Sequence, residues 1–328
     1  MLGTPHGDPR EGQALDAFSD VLRVIRLIGG VFVEAELTAP WCLAGRLSNE
    51  ECRPYVATPR HVIATHFVAE GRMQLRVEGG EDIEVRAGEL VLMPHNDVHR
   101  FGSKLDIPLT SASKLLPEPG AGMPRITHGG GGEMTRLLCG FLGSETAFDP
   151  LFQSLPPVLK LDLRAKPSGA WIESSFRYAI SEIAGGRMGS ATVITKLSEM
   201  LFVEAVTQFV ATLPAERQGW LAGLRDPQIG RALALLHARP TGNWTADGLA
   251  SEVGMSRSVF AERFTLLVGQ PPMHYLAQWR MYLAAQQLRE GRGSVAQVAF
   301  EVGYDSEAAF SRAFKRQFGA SPGIWRRQ

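Results

Sequence analysis

Along this chain, apolar positions recur every three or four residues in some stretches and alternate over short runs in others. Leu15, Phe18, Leu22, Ile25 and Ile28 mark an amphipathic helix over 14–29, ended by Gly29-Gly30. From residue 31 to about 145 the texture changes. The runs Val31–Leu37, His61–Val68, Met73–Val77 and Glu89–Met93 alternate or are β-rich, with Gly, Pro, Asn and Asp between them. That pattern predicts a small β-barrel or sandwich, with Leu137–Leu142 as a further strand. The glycine-rich stretch 119–132 predicts a mobile loop. After Leu155 the period is helical again, over 169–184 and 191–213. Val193, Leu197, Leu201, Ala205, Phe209 and Leu213 line one side of the longer helix, a stripe to be buried on the barrel or on a second copy. Pro214, Gly219, Gly223 and Pro227 mark 214–227 as a linker, and helices fill the rest.

The C-terminal hundred residues contain an internal repeat. Thr245–Gly254 lies over Ser294–Gly303, each with a hydroxyl N-cap, a small Ala (Ala250, Ala299) and a turn Gly. Ser256, Phe260, Phe264, Gly269, Pro272 and Tyr275 then match Ser306, Phe310, Phe314, Gly319, Pro322 and Trp325 at a spacing of fifty. A capped short helix, a glycine turn and a second capped helix make a helix-turn-helix unit, and two copies are far more specific than one. The paired phenylalanines face the core, which leaves the opposite face of each second helix for a DNA major groove.

Val302-Gly-Tyr304, Phe310-Ser-Arg-Ala-Phe-Lys315 and Gly319-Ala-Ser-Pro322 resemble the second helix-turn-helix signature of the AraC family of bacterial transcription regulators, and the likeness covers about 228–326. Gly88–His99 and Leu138–Phe141 are similar to the cupin-type sensor domain of one branch, and Leu197–Ala205 to its helical connector. The resemblance implies an α+β chain: a leader and first helix (1–30), a cupin-like sensor barrel (31–160), connector and dimerisation helices with a linker (161–227), and an all-α domain of two helix-turn-helix units (228–328). Carried over by position, the groove-facing residues are Arg257, Ser258, Ala261 and Glu262 in the first unit and Glu307, Ala308, Ser311 and Arg312 in the second. Lys315 and Arg316 read as phosphate contacts. Glu262 departs from the family, where a basic or polar residue is common; its carboxylate either accepts from cytosine N4 or pairs with a neighbouring Arg.

Cupin barrels often hold a metal through two His and one Glu of a first motif and one His of a second. Here His66 and Glu70 keep first-motif positions, Ala64 stands where the other His belongs, and His99 matches the second motif. Cys42, Cys52, His61 and His95 are candidates for the missing ligand, and a thiolate with imidazoles favours Zn²⁺. The expected set is His66, His99, Cys42 and Glu70. Two readings compete with it: hydrogen-bonded structural histidines, and a redox pair Cys42/Cys52. Trp41, Phe67, Met93 and Phe101 are candidate walls of an effector pocket, or plain core.

Composition narrows the class. The 328 residues balance 34 basic against 34 acidic side chains, but 226–328 carry 12 and 8, a net +4, leaving 1–225 at −4. A basic C-terminal part suits nucleic acid at that end alone. No apolar run approaches the ~18 residues of a membrane span. The first ten residues read as a leader without a signal peptide's regions, and three cysteines are too few for a disulfide framework, so the cytoplasm is expected. The expectation is a non-enzymatic regulator that dimerises, answers a small molecule or metal, and binds promoter DNA. A metal-dependent cupin enzyme and a constitutive architectural binder are the alternatives.

Overall fold

A computed structural model describes residues 17–29, 33–52, 59–116, 124–144, 148–165, 190–214 and 217–327, with the single positions 171, 174, 175 and 178. The chain divides into two compact units, one of 25–213 and one that joins 1–24 to 214–328. The secondary structure is mixed α+β, with the strands in the first of these and helices in the second.

Helix α1 spans Ala17–Ile25 and ends four residues before the predicted boundary at 29, while residues 14–16 lie outside the described residues. Arg26 adopts a left-handed φ of +43°, and Ile28–Gly29 form strand β1 against Leu142 and Gly143 instead of continuing the helix. The strands after it are β2 (Val33–Thr38), β3 (Cys42–Gly45), β4 (His61–Glu70), β5 (Arg72–Val77), β6 (Ile83–Arg86), β7 (Glu89–Met93), β8 (His99–Gly102), β9 (Thr110–Ser111), β10 (Arg125–Gly129), β11 (Met134–Ser144) and β12 (Leu159–Asp162). One sheet runs β10-β2-β11-β4-β7-β12 with β1 beside β11, and the other runs β6-β5-β8-β3-β9. Among the described residues no ladder joins the two sheets, so the expected barrel is an open sandwich. Its core takes Leu37, Val68, Val91, Met93 and Leu137 from the first sheet and Trp41, Leu43, Leu75, Val85 and Phe101 from the second.

The glycine-rich stretch is more ordered than its composition predicts. Ile126 is buried, and β10 pairs in parallel with β2. The glycines after it turn tightly against Thr38–Pro40: a Cβ on Gly129, at φ +131°, would meet the Thr38 carbonyl oxygen at 1.9 Å. Residues 117–123 lie outside the described residues. Helices α2 (Asn49–Cys52) and α3 (Asp149–Gln153) are short, and α4 (Ser190–Thr212) packs on β1, β11 and β12. That packing buries Leu201, Phe202, Ala205 and Leu213 within the chain itself. The helix expected at 169–184 falls mostly outside the described residues.

A polar chain crosses between the two sheets. His66 of β4 and His99 of β8 meet Nε2 to Nε2 at 2.8 Å, and His66 Nδ1 lies 2.9 Å from the Sγ of its cross-strand neighbour Cys139. The partners fix the tautomers. His99 Nδ1–H donates to the Asp97 carbonyl at 2.9 Å, so the neutral ring accepts at Nε2 from His66 Nε2–H. His66 then accepts at Nδ1 from the Cys139 thiol. Burial, then the neighbouring His99, holds the His66 pKa well below its ordinary value, and burial also lowers His99. Burial pushes the Cys139 thiol up to about 12.

The second unit contains α1 up to Val24, then α5 (Trp220–Arg225), α6 (Pro227–Ala238), α7 (Ala246–Glu252), α8 (Arg257–Val268), α9 (Pro272–Arg289), α10 (Val295–Glu301), α11 (Glu307–Phe318) and α12 (Pro322–Trp325). Here α7–α8 and α10–α11 are the two helix-turn-helix pairs, and α9 runs between them. The stretch expected as a linker holds α5, which packs on α6 and α8. Trp220 is buried and donates its indole N–H to the Tyr275 hydroxyl at 2.8 Å. That hydroxyl donates in turn to His237 Nε2 at 2.7 Å, leaving Nδ1–H of His237 facing Asp20 of α1 at 3.8 Å. A tryptophan at the start of a one-and-a-half-turn helix thus anchors what composition alone reads as a spacer.

Two expectations follow. Trp220→Ala should cost about 3–5 kcal/mol in urea unfolding of the helical unit, the range for emptying a buried Trp site. A fragment beginning at residue 228 should be destabilised for the same reason. Second, His61 is lowered to about 4 and His237 to about 3, chiefly by burial, and both join His66 and His99 as imidazoles that stay neutral when folded. Unfolded histidine protonates near ~6.5, so below that pH the unfolded chain binds more protons than the folded one. Stability should be full above about pH 6.5 and decline as pH falls toward about 4, read as falling Tm in thermal melts.

Candidate nucleic-acid interface

Each reading helix is placed by the same construction. Thr245 accepts from the Gly248 amide at 3.0 Å to start α7, and Ser294 forms a capping box with Gln297 to start α10. Ala250 and Ala299 are fully buried where the helices of each pair approach. Ser306 caps α11 by accepting from the Ala309 amide at 3.3 Å. Ser256 departs from this plan: its hydroxyl lies 3.5 Å from the Ser258 hydroxyl and makes no cap bond. Phe260 and Phe264 of α8, and Phe310 and Phe314 of α11, are fully buried.

Helix α9 joins the two pairs into one core. Tyr275 packs edge-on to Phe264, and Trp325 does the same to Phe314 while donating to the Ala285 carbonyl at 3.1 Å. Arg280 at mid-helix donates to Pro240 O at 2.7 Å, Gly242 O at 3.3 Å and Gly303 O at 3.5 Å. Its guanidinium holds the loop after α6 and the turn between α10 and α11 to the same helix. Burial lowers its pKa, while Tyr304 and Asp305 oppose that shift.

The position-by-position expectations fall on the outer faces. Arg257, Ser258 and Glu262 are exposed and Ala261 half-buried on α8; Glu307, Ala308, Arg312, Lys315 and Arg316 are exposed and Ser311 half-buried on α11. Glu262 lies midway between Phe260 and Phe264 in sequence, and Arg312 midway between Phe310 and Phe314, so both point directly away from the core. The neighbour that would neutralise Glu262 is already taken. Arg263 donates from Nε to Asp226 at 3.0 Å, and Asp226 also caps α6 by accepting from Gln228 and Ile229. Glu262 makes no ion pair among the described residues, and Arg263 is paired with Asp226. Val259, Thr265 and Leu266 share the outer face of α8 and were not among the expected contacts. The fifty-residue offset pairs them with Ala309, Lys315 and Arg316 and is the signal that finds them.

In the sandwich unit the expected zinc ligands do not converge. His66 and His99 are together, but Glu70 pairs with Arg136 at 2.9 Å. Cys42 sits opposite Gly102, three strand positions from the Gly45–His99 pair and so on the other face of β3. The thiol that does reach His66 is Cys139, which lies at Nδ1 while His99 lies at Nε2, on the opposite side of the ring. Among the described residues no three His, Cys, Asp or Glu side chains gather into a metal site. The geometry present is that of hydrogen-bonded structural histidines. Cys42 and Cys52 are buried free thiols, with Cys52 packed beside Val62 and Phe141 and pushed up to about 11 by burial and Glu51. Trp41, Met93 and Phe101 belong to the core between the sheets, and Phe67 is also buried.

Comparison with known proteins agrees with both units. A family model described as cupin matches residues 16–211, and one described as a helix-turn-helix domain matches 249–328. An AraC-like transcription regulator of Streptomyces antibioticus is 30% identical over 318 residues, which is 95% of this chain and 99% of that protein. The HTH-type transcriptional regulator AlkR of Acinetobacter baylyi is 30% identical over 275 residues, 81% of this chain and 88% of its own. Among solved structures, the DNA-binding domain of AdpA in complex with a target DNA is 31% identical and covers 31% of this chain and 91% of that one, at a TM-score of 0.30. With two buried-phenylalanine helix pairs joined by one core helix, and a full-length relative at this identity, the chain belongs to the AraC family of DNA-binding transcription regulators.

Proposed function

We propose that this regulator binds promoter DNA in the cytoplasm through the outer faces of α8 and α11, as a homodimer, and that a small molecule acting on the sandwich unit adjusts that binding. The observation that carries the reading is the outer face of α11. Arg312, Lys315 and Arg316 are exposed there, while Phe310 and Phe314 secure the other side. Lys315 and Arg316 can neutralise backbone phosphates, and the central Arg312 can bind guanine O6 and N7 together. No described helix is long and apolar enough to cross a membrane.

Effector binding is supported by Trp41, whose indole N–H is buried in the inter-sheet core with no hydrogen-bond partner among the described residues. A buried donor left unsatisfied is costly, and a ligand acceptor would relieve it. Dimerisation is supported by the 23-residue helix α4, which keeps Val193 exposed after its inner face is covered by the sandwich. Leu201 and Phe202 are inner-face residues, so charged substitutions there should unfold the unit and cannot serve to make monomers. The role is non-enzymatic.

Binding of the full chain to DNA sites selected from a random library tests the reading. Lys315→Ala and Arg316→Ala should each flatten the slope of log affinity against log salt by about 0.9, the value for one lost phosphate contact. Arg312→Ala should cost ~1–3 kcal/mol and relax the preference at one base position. Salt slopes unchanged in all three variants would remove α11 from the interface. Zinc titration of the same protein addresses the metal separately: stoichiometric uptake lost on replacing His99 by Gln would establish it, and no uptake would exclude it.

A further inference from the structure

The two reading helices share one backbone plan but carry opposite chemistry. At the fifty-residue offset, Arg312 corresponds to Glu262, Lys315 to Thr265 and Arg316 to Leu266. Every cation on the outer face of α11 is therefore replaced on α8. Arg263 does not restore the charge, because it is bound to Asp226. Beyond Arg257, which stays exposed in its first turn, α8 presents an unpaired carboxylate flanked by two exposed apolar side chains, Val259 at 52% and Leu266 at 55% relative exposure.

A carboxylate entering a groove lined by phosphates is repelled unless it finds donors. In the major groove, guanine O6 and N7 and thymine O4 are acceptors, so Glu262 disfavours both bases. Adenine N6 donates but stands beside the N7 acceptor. Cytosine N4 donates with no acceptor next to it, and its other exposed edge is the C5–H. A lone carboxylate is therefore best satisfied by cytosine. Apolar groups on either side suit the C5 edge of pyrimidines, above all the thymine methyl.

We propose that α8 beyond its first turn reads bases without a cation: Glu262 accepts a hydrogen bond from cytosine N4, and Val259 and Leu266 lie against the C5 edges of neighbouring pyrimidines. In this arrangement α11 supplies the phosphate contacts and one base contact, and α8 adds discrimination through Glu262. The inference rests on the proposed DNA interface and deepens it.

The test is site selection from a random duplex library with the full-length chain, in the wild type and in the Glu262→Gln, Glu262→Arg and Arg312→Ala variants. The wild type should select a cytosine beside pyrimidines in one half of its site. Glu262→Gln, nearly isosteric and on an exposed position, should lower the preference for that cytosine about tenfold, the discrimination of one good base contact. It should leave the salt slope flat or slightly raised. Glu262→Arg should move the preference toward guanine and steepen the slope by about 0.9. An identical selected site in wild type and Glu262→Gln, with Arg312→Ala still altering its own position, would overturn the Glu262 contact while sparing the DNA interface. Loss of polymerase-dependent transcription in Glu262→Gln with unchanged site selection would overturn it in favour of a protein partner on that face. No sequence preference in any of the four proteins would overturn the DNA interface itself.

Discussion

Two short helices address one DNA duplex together only if the distance and angle between them are fixed, and here that constraint falls on α9. A helix is stiff along its axis but holds its neighbours only through the side chains it lends them. Tyr275 packs on Phe264 of the first pair, Trp279 stacks on His237 of α6, and Ala284, Ala285 and Leu288 pack into the second pair. Arg280 stands between these sets and binds carbonyls from both sides. Apolar packing resists separation but tolerates small rotations, whereas a planar guanidinium with directed N–H bonds resists rotation too. The turn at Gly303 completes the fit: its φ is +85°, and a Cβ there would meet the Arg280 guanidinium carbon at 3.1 Å. A side chain at 303 would strain the backbone and loosen the one polar clamp common to both pairs.

The sandwich unit solves a related problem with neutral groups. Its sheets share an apolar core, which fixes separation, and a single file of Cys139, His66, His99 and the Asp97 carbonyl, which fixes register. Every proton in the file has one assigned place, so adding or removing one breaks a bond on each side of the change. A buried network of this kind contributes specificity of arrangement as well as stability. His66 engages both ring nitrogens in this file, one for each neighbour.

The sequence made the helix-turn-helix units plain because their physics is local. Caps, tight alanines, turn glycines and phenylalanines at i, i+4 all act within one unit, and the repeat shows them twice. The outer-face residues followed, since a helix with one face committed leaves the other free. The partners of long-range contacts did not show. Trp220 sits among prolines and glycines, and nothing local says that Tyr275, fifty-five positions on, needs its N–H. Cys139 is a half-buried residue of β11, and its pairing with His66 depends on β11 and β4 being neighbours. Glu262 was ambiguous for the converse reason: the fate of Arg263 is decided by Asp226, a helix cap in another element.

Helix α1 comes before the sandwich in the chain, yet it is grouped with the C-terminal helices, where Val21 is fully buried and Asp20 faces His237. In topological terms residues 25–213 are an insertion, spliced into a DNA-binding unit whose two chain segments lie on either side of it. Handling the protein at its front end is therefore handling its DNA-binding part. A start site chosen after α1, or a bulky fusion close before it, edits the helical unit, and the sandwich unit would appear sound in isolation while the defect showed up in DNA binding.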